Sequence, residues 1–247
     1  EVALLSEDRG VEFTLAQFND SCIEFDTAFF GEEAKRVGIS MQVIDECFWR
    51  MVEDASSADD VCEVKCGTEI DTTKHGSGFP RRGETLRVKI EGVSADDIKE
   101  LAESKWNLNN VARASGEHPS VLASLREDLP GVTTPVLEVG STFSSTTWRR
   151  EHHDLYRITY NHWGAPKTWY CVPASAADKF EECFKNVMPD VYEAHVNDLG
   201  RVFTMLSPNF LMNAGVPVNK LEQYPGEYVI TFPGAYYATF NCGLNCT

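Results

Sequence analysis

Apolar residues recur at helical spacing near the start of the chain and give way after residue 134 to short alternating runs. Leu15, Phe18, Cys22 and Phe25 repeat with the period of one helix face behind Thr14, whose hydroxyl suits an N-cap, so the spacing predicts a helix over residues 13–30. Ser40 followed by Ile44, Phe48 and Met51 predicts a second helix over 41–53. The polar, acidic stretch 54–60 reads as a loop, CEVKCGTEI as a short strand and KHGSGFPRRGE as a turn. LRVKI then predicts a strand and SADDIKELAES a short helix. Beyond this the strand candidates are TPVLEVG, LYRITYNHW, KTWYCV, RVFTML and GEYVITF, separated by Gly and Pro turns and interrupted by one amphipathic helix over 174–186. Many short strands at this spacing predict a closed sandwich or barrel of jelly-roll (cupin) type. The fold class expected is therefore mainly β with a helical N-terminal portion (α+β), divided into residues 1–75 and a cupin over 76–247.

Composition narrows what such a chain can do. No apolar run approaches the roughly 20 residues of a membrane span, so no membrane role is expected. Thirty-eight acidic against 22 basic residues give a net charge of −16, which disfavours phosphate contacts and hence direct nucleic-acid binding. A basic protein or peptide is the better-matched partner. The eight cysteines form no CxxC pair and no disulfide-like density, as expected in a reducing intracellular compartment. EVALLSEDRG is acidic and carries no secretory pattern, and with no initiating methionine the chain is expected to be a piece of something longer.

Eight motifs occur in order: SGFP, WNLNN, FSS-x-x-W, HWG-x-PKTWY-x-VP, MLSPNFLM, GVPV, GEYVITFP-x-AY and FN-x-G-x-N. Together they resemble the Jumonji-C (JmjC) family of 2-oxoglutarate-dependent oxygenases, most closely the ARID-containing, JARID1-type branch that demethylates lysine 4 of histone H3. The resemblance implies a double-stranded β-helix, a nuclear address and chromatin partners. It also implies a face of two histidines and one carboxylate on Fe(II). In this chain the matching positions are Arg149, Glu151 and Tyr237, so only the carboxylate is kept. A guanidinium has no lone pair to give a metal, and a phenol needs the metal already present to ionise. The resemblance also implies that Lys167 pairs with the distal carboxylate of 2-oxoglutarate. Around it Leu101, Thr146, Arg157 and Thr159 replace the family's tyrosine, phenylalanine, serine and asparagine, and Arg157 adds a second cation.

Three readings follow from these positions. In the first, the domain is a pseudoenzyme without Fe(II) or 2-oxoglutarate, with no catalytic residues and with Arg149, Glu151 and Tyr237 as vestigial metal positions. It would then act as a scaffold for a histone tail, another basic chromatin protein or subunits of a chromatin-modifying complex, a deacetylase-containing one among the candidates. In the second it is a working demethylase whose unusual metal site recruits His152 or His153. In the third it holds 2-oxoglutarate without metal, through Lys167 and Arg157. Either arginine could also supply the positive charge that keeps Glu151 paired.

Overall fold

The computed structural model describes residues 3–4, 12–32, 38–54, 62–83, 92–117, 119–195 and 204–247. From the N-terminus the elements are β1 (Ala3–Leu4), α1 (Leu15–Phe30), α2 (Met41–Asp54), β2 (Gly67–Asp71), α3 (Thr72–His75), α4 (Ala95–Glu103) and α5 (Leu108–Val111). There follow β3 (Val136–Gly140), β4 (Ser145–Arg149), β5 (Arg157–Tyr160), β6 (Trp163–Gly164), β7 (Lys167–Val172), α6 (Ala177–Val187) and α7 (Pro189–His195). The chain ends with β8 (Thr204–Met205), α8 (Pro208–Asn213), β9 (Asn219–Gln223), β10 (Tyr228–Thr231), β11 (Tyr236–Asn241) and β12 (Asn245–Cys246). The strand expected at LRVKI lies outside the described residues, as do the first residues of RVFTML.

Spatial grouping gives two compact units, one of Glu1–Cys66 with Gly140–Thr247 and the other of Gly67–Val139. The N-terminal helices thus share a unit with the barrel strands.

In the larger unit the main sheet is antiparallel, with strand order β4-β11-β7-β9, and a second antiparallel pair joins β10 to β5. Side chains alternate across a strand, so each face of the main sheet has its own fate. Tyr170 and Val172 of β7 and Tyr236, Ala238 and Phe240 of β11 join the buried core with Ile44, Phe48, Trp49 and Val52 of α2 and Phe180 and Phe184 of α6. Stacking of Phe48 on Phe240, ring centroids 4.2 Å apart, fixes α2 across the sheet. The Trp49 indole donates to the Tyr170 hydroxyl at 2.9 Å and that hydroxyl donates to Asp45 at 2.6 Å, so the aromatic contact is also hydrogen-bonded. The opposite face of the same strands carries Lys167, Trp169, Tyr237, Thr239 and Asn241, and it forms the barrel interior.

α1 begins where the sequence places its cap: Thr14 accepts from the Gln17 backbone and Gln17 reaches back, a full capping box. In the smaller unit Ser94 and Asp97 cap α4 in the same reciprocal way, and β2 pairs antiparallel with β3. The architecture is the α+β cupin that the strand pattern predicts.

Candidate functional site

Strand register brings the marked residues together. Along β11, Tyr237 stands opposite Arg149 on β4 and opposite Cys171 on β7, while Asn241 stands opposite Lys167. β9 completes the row by placing Gln223 beside Lys167. A shift in register between Tyr237 and Thr239 marks a bulge on the β4 side, which aims the Tyr237 end of the strand at the loop after β4.

That loop carries Glu151. Its carboxylate accepts a short hydrogen bond from the Tyr237 hydroxyl and lies 3.5 Å from Nη1 of Arg157, on β5. The Arg157 guanidinium sits 6.0 Å from the Tyr237 ring centroid. Burial pushes the Tyr237 phenol well above the ordinary tyrosine range, with Arg157 opposing and Glu151 reinforcing the shift. Tyr237 is therefore a protonated donor, and Glu151 is its acceptor. Arg149 borders the same group, and its Nε has no hydrogen-bond partner among the described residues. Of the two arginines that could neutralise Glu151, the structure pairs Arg157 with it.

Further in, Lys167 is 3% exposed, and its ammonium donates to the Thr247 hydroxyl at 3.1 Å. Trp169 lies between the two ends, its ring 5.7 Å from that of Tyr237 and its Nε1 donating to Gln223 at 2.9 Å. Gln223 in turn donates to the backbone carbonyls of Thr159 and Glu227. The amide of Gln223 ties β9 to the β5–β10 pair, a structural role that its polar character in the sequence does not reveal. Asn241 donates to Ser144, and Asn245 donates to Asn241 and to the Ala165 carbonyl.

The donor set bears directly on the groups this fold implies. Arg149 cannot ligate a metal, Tyr237 is held as a neutral phenol by burial, and Glu151 is already engaged by Tyr237 and Arg157. His152 and His153 are exposed on a short turn in which His153 and Asp154 adopt positive φ, so neither imidazole joins Glu151. Among the described residues no three His, Cys, Asp or Glu side chains come together as a metal site. As arranged, these residues do not fit Fe(II). A dicarboxylate is a different matter, because Lys167, Arg157 and Arg149 bring three cations to an interior whose marked carboxylate is Glu151.

Other sequence expectations end elsewhere. Thr159 is buried beside Gln223, and Thr146 faces Thr239 across β4 and β11. Leu101 lies on α4 of the smaller unit and is 52% exposed. Trp163, unlike the buried Trp169 and Tyr170, is 38% exposed because the two-residue β6 leaves its side chain at the margin of the sheet. Asn107 caps α5 and also donates to the Pro80 and Leu101 carbonyls.

Residues 136–247 match the family described as JmjC domain, hydroxylase. The chain is 43% identical over 84% of its length to lysine-specific demethylase JMJ17 of Arabidopsis thaliana. It is 37% identical over 96% of its length to lysine-specific demethylase JMJ703 of Oryza sativa subsp. japonica. It is likewise 37% identical over 97% of its length to lysine-specific demethylase 5B of Gallus gallus. It spans only 16%, 18% and 15% of these relatives' own lengths. Two expectations are overturned by these likenesses. The chain is not set apart as a non-enzyme, because the relatives that match most of it are named as lysine-specific demethylases and point to an enzyme. Loss of Fe(II) and 2-oxoglutarate falls with it: the donors at one corner of the barrel describe that corner, not the chemistry of the class. Over residues 136–247 this chain is a JmjC domain, and its relatives over most of its length are named as lysine-specific demethylases.

Proposed function

We propose that this chain is the JmjC domain of a nuclear, chromatin-bound lysine demethylase, that it holds a 2-oxo dicarboxylate of the 2-oxoglutarate class inside the barrel, and that it receives a basic histone tail. The observation that carries the reading is Lys167, a cation 3% exposed and turned into the barrel on β7. A buried ammonium needs anionic or polar partners to stay charged. Lys167 donates to the Thr247 hydroxyl, and a ligand carboxylate would add a charge-assisted contact. Arg157, on the facing strand pair, supplies a second cation for the other end of such a ligand. The net charge of −16 supports the basic substrate, since it favours approach of a lysine-rich tail over nucleic acid. Relatives named as lysine-specific demethylases support the reaction class.

Calorimetric titration of the purified chain with 2-oxoglutarate, with and without Mn(II), tests the binding step. Saturable one-to-one binding is expected, and Lys167→Ala should weaken it about tenfold or more, the effect of losing a charge-assisted contact. Absence of binding under both conditions refutes the reading. Incubation with a methylated histone H3 tail peptide, Fe(II), 2-oxoglutarate and ascorbate, read by mass spectrometry, tests the reaction class, and loss of a methyl mass would place the activity in this chain despite a corner whose donors, as arranged, do not fit Fe(II).

A further inference from the structure

The cationic end of the barrel already holds an anion, and that anion belongs to the protein. Glu151 accepts from the Tyr237 hydroxyl and pairs with Arg157 at 3.5 Å. Arg149 flanks the same tyrosine through strand register. One carboxylate thus sits against a guanidinium and a phenol, with a second arginine beside the phenol, a combination suited to either end of a dicarboxylate. The loop after β4 that carries it is a tight 3₁₀ turn with His153 at φ 57° and Asp154 at φ 48°. Two consecutive residues other than glycine in the left-handed region mark a segment whose conformation the surrounding structure has to hold.

We propose that Glu151 is a built-in competitor: it occupies the Arg157 and Tyr237 end of the interior, and an incoming ligand carboxylate binds there by displacing it. This inference rests on the reading that a dicarboxylate binds at Lys167. It adds that the affinity for that ligand is set by an internal anion. The sign of the effect separates this role from any role of Glu151 in holding a metal. Removing a ligand of a cation weakens whatever depends on that cation, whereas removing a competing anion strengthens metal-free binding of the dicarboxylate.

The test is titration of 2-oxoglutarate into the full chain in excess EDTA, for the wild type, Glu151→Gln, Glu151→Ala, Lys167→Ala and Glu181→Gln, each first checked for folding by circular dichroism. Glu181 also neighbours a tyrosine and an arginine, Tyr236 and Arg150, but on the helix side of the sheet, so it controls for loss of a negative charge alone. Removing a charge a few ångströms from the ligand carboxylate should tighten binding by about tenfold. That tightening is expected in whichever Glu151 variant is folded, with Glu181→Gln unchanged. Detectable binding in a Glu151 variant where the wild type shows none supports the proposal equally. Binding by the Glu151 variants equal to or weaker than wild type, with Lys167→Ala still impaired, overturns the competitor role and leaves the binding reading standing. Binding that Lys167→Ala does not affect, or no binding by any folded form, removes the binding reading and the competitor role together.

Discussion

Arg157 and Arg149 lie near the same carboxylate, yet the structure gives them unequal weight, and a double-mutant cycle measures the difference. Arg157 Nη1 is 3.5 Å from Glu151, with the two side chains 33% and 25% exposed. That places the pair between a surface bridge, worth about 0–1 kcal/mol, and a buried one, whose rupture costs about 3–5 kcal/mol. The cation over the Tyr237 ring at 6.0 Å adds about 0.5 kcal/mol. Arg157→Ala should therefore destabilise the fold by about 1–2 kcal/mol, a fall in Tm of about 2–8 °C for a chain of this size. Arg149→Ala should cost less than half as much, because among the described residues the ion pair of Glu151 is made with Arg157 and not with Arg149. Thermal and urea unfolding of Arg157→Ala, Glu151→Gln and the double variant gives the coupling energy, expected at about 0.5–1.5 kcal/mol. A coupling below about 0.3 kcal/mol, or a larger loss from Arg149→Ala than from Arg157→Ala, would refute the pairing argued from the structure.

Three other outcomes follow from the packing. Tyr170→Phe keeps the ring but removes the acceptor for the Trp49 indole and the donor to Asp45; a loss of about 1–3 kcal/mol in urea unfolding is expected for the orphaned buried N–H, and no change would show that pair to be unimportant. Gly164 has φ +97°, and a Cβ there would lie 2.3 Å from the Leu244 carbonyl oxygen, so Gly164→Ala should cost about 3 kcal/mol or more or abolish folding. Burial raises the Cys22 thiol from 9.0 to about 11 and raises Tyr170, Tyr236 and Tyr237 above 10.0. All are acids whose folded form holds its proton longer than the unfolded form, so their contribution is complete below pH 9 and is lost as pH rises from there. Each group that ionises only on unfolding adds a slope of up to about 1.4 kcal/mol per pH unit, and a urea midpoint that stays constant from pH 9 to 11 would contradict this.

How much of this the sequence discloses depends on whether an element has two unlike faces. α1, α2 and α6 each put one stripe on the core, so periodicity and capping residues disclose them. β11 shows no such pattern because all six of its residues are buried, and a strand covered on both faces has no alternation. β9 is hidden for the opposite reason: Gln223 reads as a surface residue, whereas it is fully buried and closes backbone groups across the barrel.

The site has the same dependence on register. Glu151 and Tyr237 are 86 residues apart, and no local spacing could join them. Resemblance to a family marks both positions, and the pairing of β11 with β4 makes them neighbours. The consecutive tyrosines show what that register decides. Tyr236 points to the helix side and gives its hydroxyl to Glu181, while Tyr237 points into the barrel and gives its hydroxyl to Glu151. Chemically the two residues are identical, and a slip of one residue along β7 would exchange them. Tyr236 stands opposite Val172 and Tyr237 opposite Cys171 in the β7 ladder. Val172 belongs to the buried core under α6, so the apolar demand of the helix side fixes which phenol is left to meet the carboxylate inside. The chemistry of the interior is in this sense set from the other face of the sheet, the face that packs on α2 and α6.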